Sequence, residues 1–162
     1  MKLLMPAVVS ILLAAAPLAA RSEASPEETN GIAAARADYE RGRRAIEKLD
    51  WNGAIVALES AARHDPRDAE FQNLLGFAHR NLGNMDAAFR HYFKALELNP
   101  RHRGAHEYIG RAYLMVDKPE KAREHLKQLE KACWDTCREA ELLKRAIDEY
   151  PWPSEPRLSK TY

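Results

Sequence analysis

Residues 69–102 read AEFQNLLGFAHRNLGNMDAAFRHYFKALELNPRH, and two helical periods separated by a break are visible in that stretch. Leu74, Leu75, Phe77 and Ala78 lead to Leu82 at helical spacing before Gly83-Asn84 interrupts the run. Met85, Ala88, Phe89, Tyr92, Phe93 and Leu96 then return at three- and four-residue steps. Asn99-Pro100 closes the second run, because proline disfavours a helical conformation in the residue before it. The small residues have a packing task. Gly76 in the first run and Ala88 in the second let two backbones approach closely, while Tyr92 and Ala95 reach towards the next unit.

The same unit recurs on either side. Gly42, Gly76 and Gly110 are 34 residues apart, as are Ala54, Ala88 and Ala122. Leu58, Tyr92 and Leu126 form a third track, and Pro66 and Pro100 a fourth, with Trp134 in the next proline register. A fixed period of this length signals stacked helical units, each unable to bury its apolar face alone.

These tracks resemble the tetratricopeptide repeat family, whose motif is a leucine-glycine pair, a tyrosine three residues on, then alanine, an aromatic, alanine and proline at set spacings. Residues 69–102 match it with Leu75, Gly76, Ala88, Tyr92, Ala95 and Pro100, and carry His79 where tyrosine is usual. Residues 35–68 keep Gly42, Ala54, Ala61 and Pro66, with Leu58 for the aromatic and Arg41 for the leucine. Residues 103–136 keep Ile109, Gly110, Tyr113, Ala122 and Leu126, and depart at Leu129 and Trp134. The resemblance implies an all-α, right-handed α-solenoid of three helix–turn–helix repeats (35–68, 69–102 and 103–136). Residues 137–150 would form a capping helix on it. Thr136 and Glu139 have the spacing of a capping box ahead of the apolar series Leu142, Leu143, Ala146, Ile147 and Tyr150.

At the amino end, Met1-Lys2 is followed by an apolar run over residues 3–20 and by small residues up to Ala24. This is the layout of a secretory signal peptide over residues 1–24, which places the mature chain in a periplasm or outside the cell, with no membrane contact after cleavage. Residues 25–34 read as a flexible leader and residues 151–162, with three prolines, as a disordered tail.

Composition removes several classes of function. The 162 residues carry 25 basic and 24 acidic side chains, a formal charge of +1, so binding to nucleic acid through a strongly basic surface is excluded. Seven glycines include no phosphate-cradling pattern. Six histidines lack a zinc-ligand constellation: His102 and His106 are four apart, without third and fourth ligands, and His79 reads as a packed groove residue. Ser10 and Ser60 lack the context of a catalytic nucleophile. No enzymatic role and no cofactor is called for.

Two cysteines, Cys133 and Cys137, flank the corner between the third repeat and the cap. In an oxidising compartment they read as a structural disulfide fixing that turn where proline is missing. The alternative is a thiol-redox or copper(I)-handling site, with Cys137 near a helix amino end that favours its thiolate.

The family resemblance implies that first helices line a concave groove. Its inner-face register falls on Tyr39 and Arg43, on Asn73, Phe77 and Arg80, and on Tyr108, Arg111 and Met115. Three arginines interleaved with aromatic residues suit an extended, acidic protein or peptide partner, since guanidinium forks take carboxylates. The lysine/asparagine clamp that some family members use for a terminal carboxylate is absent, its registers holding Tyr39, Arg43, Leu74, Gly104 and Tyr108.

Overall fold

In a computed structural model, residues 26–134 and 137–151 are described, with side chains from residue 30 onwards. Among the described residues, seven helices follow one another: α1 Pro26–Glu47, α2 Trp51–His64, α3 Ala69–Asn81, α4 Met85–Leu98, α5 Arg103–Met115, α6 Pro119–Ala132 and α7 Arg138–Asp148. Each helix packs against the next, and α5 also packs on α7. Residues 1–24, read above as a signal peptide, lie outside the described residues, as do residue 25, Asp135, Thr136 and the tail beyond Pro151.

The turn inside each pair is built the same way three times. The amides of Leu49, Gly83 and Asp117 bond to the carbonyls of Ile46, Arg80 and Leu114 at 2.9, 3.0 and 3.2 Å. Those of the following residues, Asp50, Asn84 and Lys118, reach back to Ala45, His79 and Tyr113, each at 2.9 Å. This double bond pattern satisfies the orphan carbonyls of a helix end and needs one left-handed residue. Leu49, Gly83 and Asp117 take it, at φ 59°, 78° and 59°, again 34 residues apart. The sequence signals the turn only at Gly83.

Between pairs, the connection is an N-cap. Asp68 accepts from the Glu70 and Phe71 amides at 2.7 and 3.4 Å, and His102 accepts from Ala105 at 3.1 Å. The third such corner differs. Helix α7 is N-capped by Cys137, whose side chain makes no cap bond, so the helix starts one residue later than a Thr136 capping box requires.

Alanines at the tight positions Ala54, Ala61, Ala88, Ala95, Ala105, Ala112 and Ala122 are fully buried. The large side chains they admit are Leu58, Leu75, Tyr92, Ile109, Leu129 and Leu143, also fully buried, each burial contributing about 1.5–3 kcal/mol. Tyr92 packs with Ile109 and Ala112 of the next pair, as its spacing implies.

Two expectations change. The stretch 26–34 is helical and continuous with the first repeat helix, rather than a flexible leader. Pro26 opens it in the first turn, where the N–H it lacks would have no intrahelical partner, and Ala33, Ala34 and Ala35 are the best helix formers. In the third pair, Leu126 does not take over the role of Leu58 and Tyr92. The space over Gly110 is occupied by Leu143 of α7, while Leu126 is only half-buried.

A polar ladder also follows the repeat. His91 Nδ1 lies 2.9 Å from Gln72 Oε1, and one repeat later His125 Nδ1 lies 2.9 Å from His106 Nδ1. The Pro100 carbonyl, 3.1 Å from His106 Nε2, requires that nitrogen to donate, which leaves His106 Nδ1 as the acceptor. His91 and His125 are therefore both Nδ1–H donors. His91 stacks on His79, and His125 on Tyr113 in the same register.

Candidate functional site

Helices α3, α5 and the first turns of α7, with the α4–α5 turn, wall an open depression of about 850 Å³. Five of the eight residues expected in the groove line it together: Asn73, Phe77, Arg80, Tyr108 and Arg111. Met115 lies in an adjoining hollow with Leu114 and Ala146, to which Arg80 and Arg111 also belong. Tyr39 lies in a separate hollow with Ile32 and Phe71, its ring 5.3 Å from that of Phe71. Arg43 sits over the Tyr39 ring at 5.9 Å and is not part of the depression's lining.

The floor is aromatic. The Phe77 and Tyr108 rings are 4.9 Å apart, both half-buried, and Trp51 of α2 meets Phe77 edge-on at 5.7 Å. The Arg80 guanidinium stacks on Phe77 and Tyr108 at 5.1 and 5.3 Å and donates to the Tyr108 carbonyl at 3.5 Å. Contacts of this kind contribute about 0.5–1 kcal/mol or more as they are desolvated. Arg80 thus belongs to the floor.

The polar groups are largely paired within the protein. Arg111 donates to Glu107 at 3.3 Å, and Glu107 is only 3% exposed. Burial raises the Glu107 carboxyl above the usual carboxylate range, while Arg111 opposes that shift. Glu70 accepts from the Asn73 amide at 3.0 Å and pairs with His102 Nε2 at 3.1 Å, tying the amino ends of α3 and α5 together. His102 Nδ1 is already used as the cap of α5, so both ring nitrogens have structural partners. Asn73 is buried, and its Oδ1 has no hydrogen-bond partner.

Three lining arginines escape the inner-face register: Arg101 in the α4–α5 turn, and Arg103 and Arg138 at the first residues of α5 and α7. The signal for the first is the Pro-Arg pair at 66–67 and again at 100–101, which reads as a mere connector until the turn is seen to face the depression.

Cys133 and Cys137 are joined in a disulfide, with Cα atoms 5.9 Å apart, linking the end of α6 to the start of α7. Trp134 within the loop is fully exposed. Among the described residues no group of three His, Cys, Asp or Glu side chains is arranged to hold a metal ion.

Residues 69–102 match the tetratricopeptide repeat family. A 75-residue stretch is 28% identical to human protein O-mannosyl-transferase TMTC3; the aligned part is 46% of this chain and 8% of that protein's length. Among solved structures, the fold is shared with the TPR domain of Arabidopsis OM64 at 17% identity and TM-score 0.62, over 73% of this chain and 97% of that one. It is shared with the TPR2B domain of yeast Sti1, in its pHsp70 complex, at 21% identity and TM-score 0.63, over 72% and 97%. The first TPR of Spaghetti (RPAP3), bound to the HSP90 peptide SRMEEVD, aligns at 20% identity and TM-score 0.65, over 72% and 92%. Residues 69–102 thus match one tetratricopeptide repeat, and the stacked helical pairs around them share the fold of tetratricopeptide-repeat solenoids, with α7 packed on the last pair.

Proposed function

We propose that this chain is a non-catalytic protein-interaction module that binds an extended, acidic peptide or protein segment in the depression between α3, α5 and α7. One observation carries the reading: an open depression with an aromatic floor and an arginine-rich rim, the composition that anchors interfaces. Two proteins of the same fold have been solved with peptide partners, which supports it. His102, the histidine of the lining, is held through both ring nitrogens, which fits a scaffold better than a proton-transfer site. The setting is a periplasm or the secreted fraction, on the strength of the signal-like residues 1–24.

Selection of a random peptide library on the purified oxidised chain, followed by NMR mapping of a selected peptide, tests this. Shifts confined to the depression are the expected result. A peptide that maps to the helix faces away from it, or a failure to select any, sinks the reading.

A second reading, thiol–disulfide exchange at Cys133–Cys137, is favoured by the position of that bond at the start of α7 beside exposed Trp134. Oxidation of the purified dithiol by a disulfide substrate, at a rate well above that of a free cysteine, would establish it. Copper(I) handling requires the same two thiols in reduced form.

A further inference from the structure

We propose that the end of the depression between the first turns of α5 and α7 is an acid-binding subsite, in which Arg101, Arg103 and Arg138 hold carboxylates of an acidic peptide segment. The proposal rests on the groove-binding reading above and assigns the charge recognition to residues outside the inner-face register.

The depression is lined by five arginines and three glutamates. Arg80 is spent on the Phe77 and Tyr108 rings, and Arg111 on Glu107. Glu70 is taken by Asn73 and His102. What is left is Arg101, Arg103 and Arg138 against Glu139. All three arginines are exposed, and no ion pair among the described residues engages them.

Their placement works against the fold. Arg103 and Arg138 are the first residues of α5 and α7, where the helix macrodipole is positive and a cation is unfavourable. Helix α5 has no acidic residue in its first turn to offset this, whereas α7 carries Glu139 and Glu141 in its own, so the mismatch is sharpest at Arg103. A local choice that opposes local stability, as Arg103 does at the start of α5, marks a candidate functional surface. A ligand carboxylate pairs with these arginines and is favoured by the same positive helix ends. Charge complementarity therefore selects an acidic segment, and the aromatic floor beside the subsite accepts an apolar residue next to the acidic ones.

The test uses the full oxidised chain and fluorescein-labelled hexaglutamate, with hexaglutamine and a hexathymidylate strand as comparison probes in anisotropy titrations at low salt. Hexaglutamate should bind tightest, and the triple variant R101Q/R103Q/R138Q should weaken it about tenfold. A control triple that removes the same charge elsewhere, R44Q/R63Q/R90Q, should change it by less than about twofold. Should the site triple melt early, the single variants R101Q, R103Q and R138Q must each weaken binding by about twofold. Equal losses in the two triples, hexaglutamate no tighter than hexaglutamine, or a preference for the phosphate strand would each overturn the subsite. If library-selected peptides still map to the depression in those cases, the groove reading stands and only the subsite falls. If no peptide maps there, both fall.

Discussion

Leu143 of α7 closes over Gly110 of α5, with its Cδ2 2.5 Å from the point that a Cβ on that glycine would occupy. The earlier pairs make the same contact from within: Leu58 Cγ lies 2.7 Å from such a point on Gly42, and Tyr92 Cδ1 lies 2.5 Å from that on Gly76. The capping helix therefore plugs the last repeat as each second helix plugs its own. The three sites differ in how far the neighbour can yield. Both neighbours are fully buried, but Tyr92 meets that point with three atoms of a rigid ring, whereas Leu143 meets it first with two methyls that a side-chain rotation displaces. Gly76→Ala should destabilise by a net of about 1–2 kcal/mol, overpacking outweighing the gain in helix propensity. Gly110→Ala should cost less. Gly31→Ala, with nothing within 4 Å, should stabilise by about 0.5–1 kcal/mol. Urea unfolding of the three variants checks the order, and an equal effect at all three would refute it.

How much of this was legible depends on what the 34-residue period encodes. It encodes helix contacts, so Gly76, Ala88 and Tyr92 read correctly from spacing. It does not encode which element arrives at the last unit, so Leu126 looked like the partner of Gly110 while Leu143 holds that place. Nor does glycine mark every left-handed turn: Leu49 and Asp117 adopt by context what Gly83 adopts freely. The lining of the depression was legible where it lies on helix faces (Asn73, Phe77, Arg80, Tyr108, Arg111). Its turn and cap residues, Arg101, Arg103 and Arg138, have no periodic signature. Register also says nothing about whether an arginine is already engaged: Arg80, expected as a ligand contact, stacks on Phe77 and Tyr108 within the protein.

Leu49 offers a direct measure of turn strain. It holds φ 59° and is 68% exposed, so its side chain contributes little packing. A left-handed conformation costs an L-residue about 1–2 kcal/mol, part of which glycine gives back as unfolded-state entropy. Leu49→Gly should therefore stabilise by about 0.5–1 kcal/mol, read as a higher denaturant midpoint at unchanged slope. A lower midpoint would mean that Leu49 packs more than its exposure indicates.

Arg80 should behave as a structural residue. Arg80→Lys keeps the charge but loses the planar stack on Phe77 and Tyr108, so it should lower stability by about 0.5–1 kcal/mol. Arg43→Lys, at an exposed site, should be nearly silent. A thermal melt of Arg80→Lys that overlays the parent would show the stack to be energetically idle.

The histidine ladder predicts an acid-sensitive fold. Burial is the main cause holding the His91 and His125 imidazoles down at about 4, assisted by His79 and Arg90 at the first and by His106 at the second. In the unfolded chain they titrate near about 6.5. Between those values the unfolded state binds more protons, so the stability these groups contribute is complete above about pH 6.5 and declines as pH falls towards about 4. Denaturant midpoints measured down to about pH 5, above the main carboxylate range, should fall in the parent and stay flatter in the His91→Gln/His125→Gln variant. Parallel curves would place the acid sensitivity elsewhere.

The disulfide should act on the cap rather than on the whole array. The Cys133–Cys137 loop is short, so chain entropy alone contributes less than the roughly 3 kcal/mol of a 15-residue loop. Its larger effect is positional. It fixes the start of α7, which buries Leu143 and Ile147 against α5 and α6 and brings Arg138, Glu139 and Leu142 to the depression. Reduction should lower amide protection across α7 and the end of α6 and leave α1 to α4 unchanged, because in a stacked array each unit is stabilised mainly by its neighbours. Deleting residues 137–150 should go further, exposing the Gly110 face of α5 and driving self-association visible by light scattering. Protection lost evenly along the chain on reduction would show that the array unfolds as one unit. A deleted chain that remained monomeric and equally stable would show that α7 closes nothing.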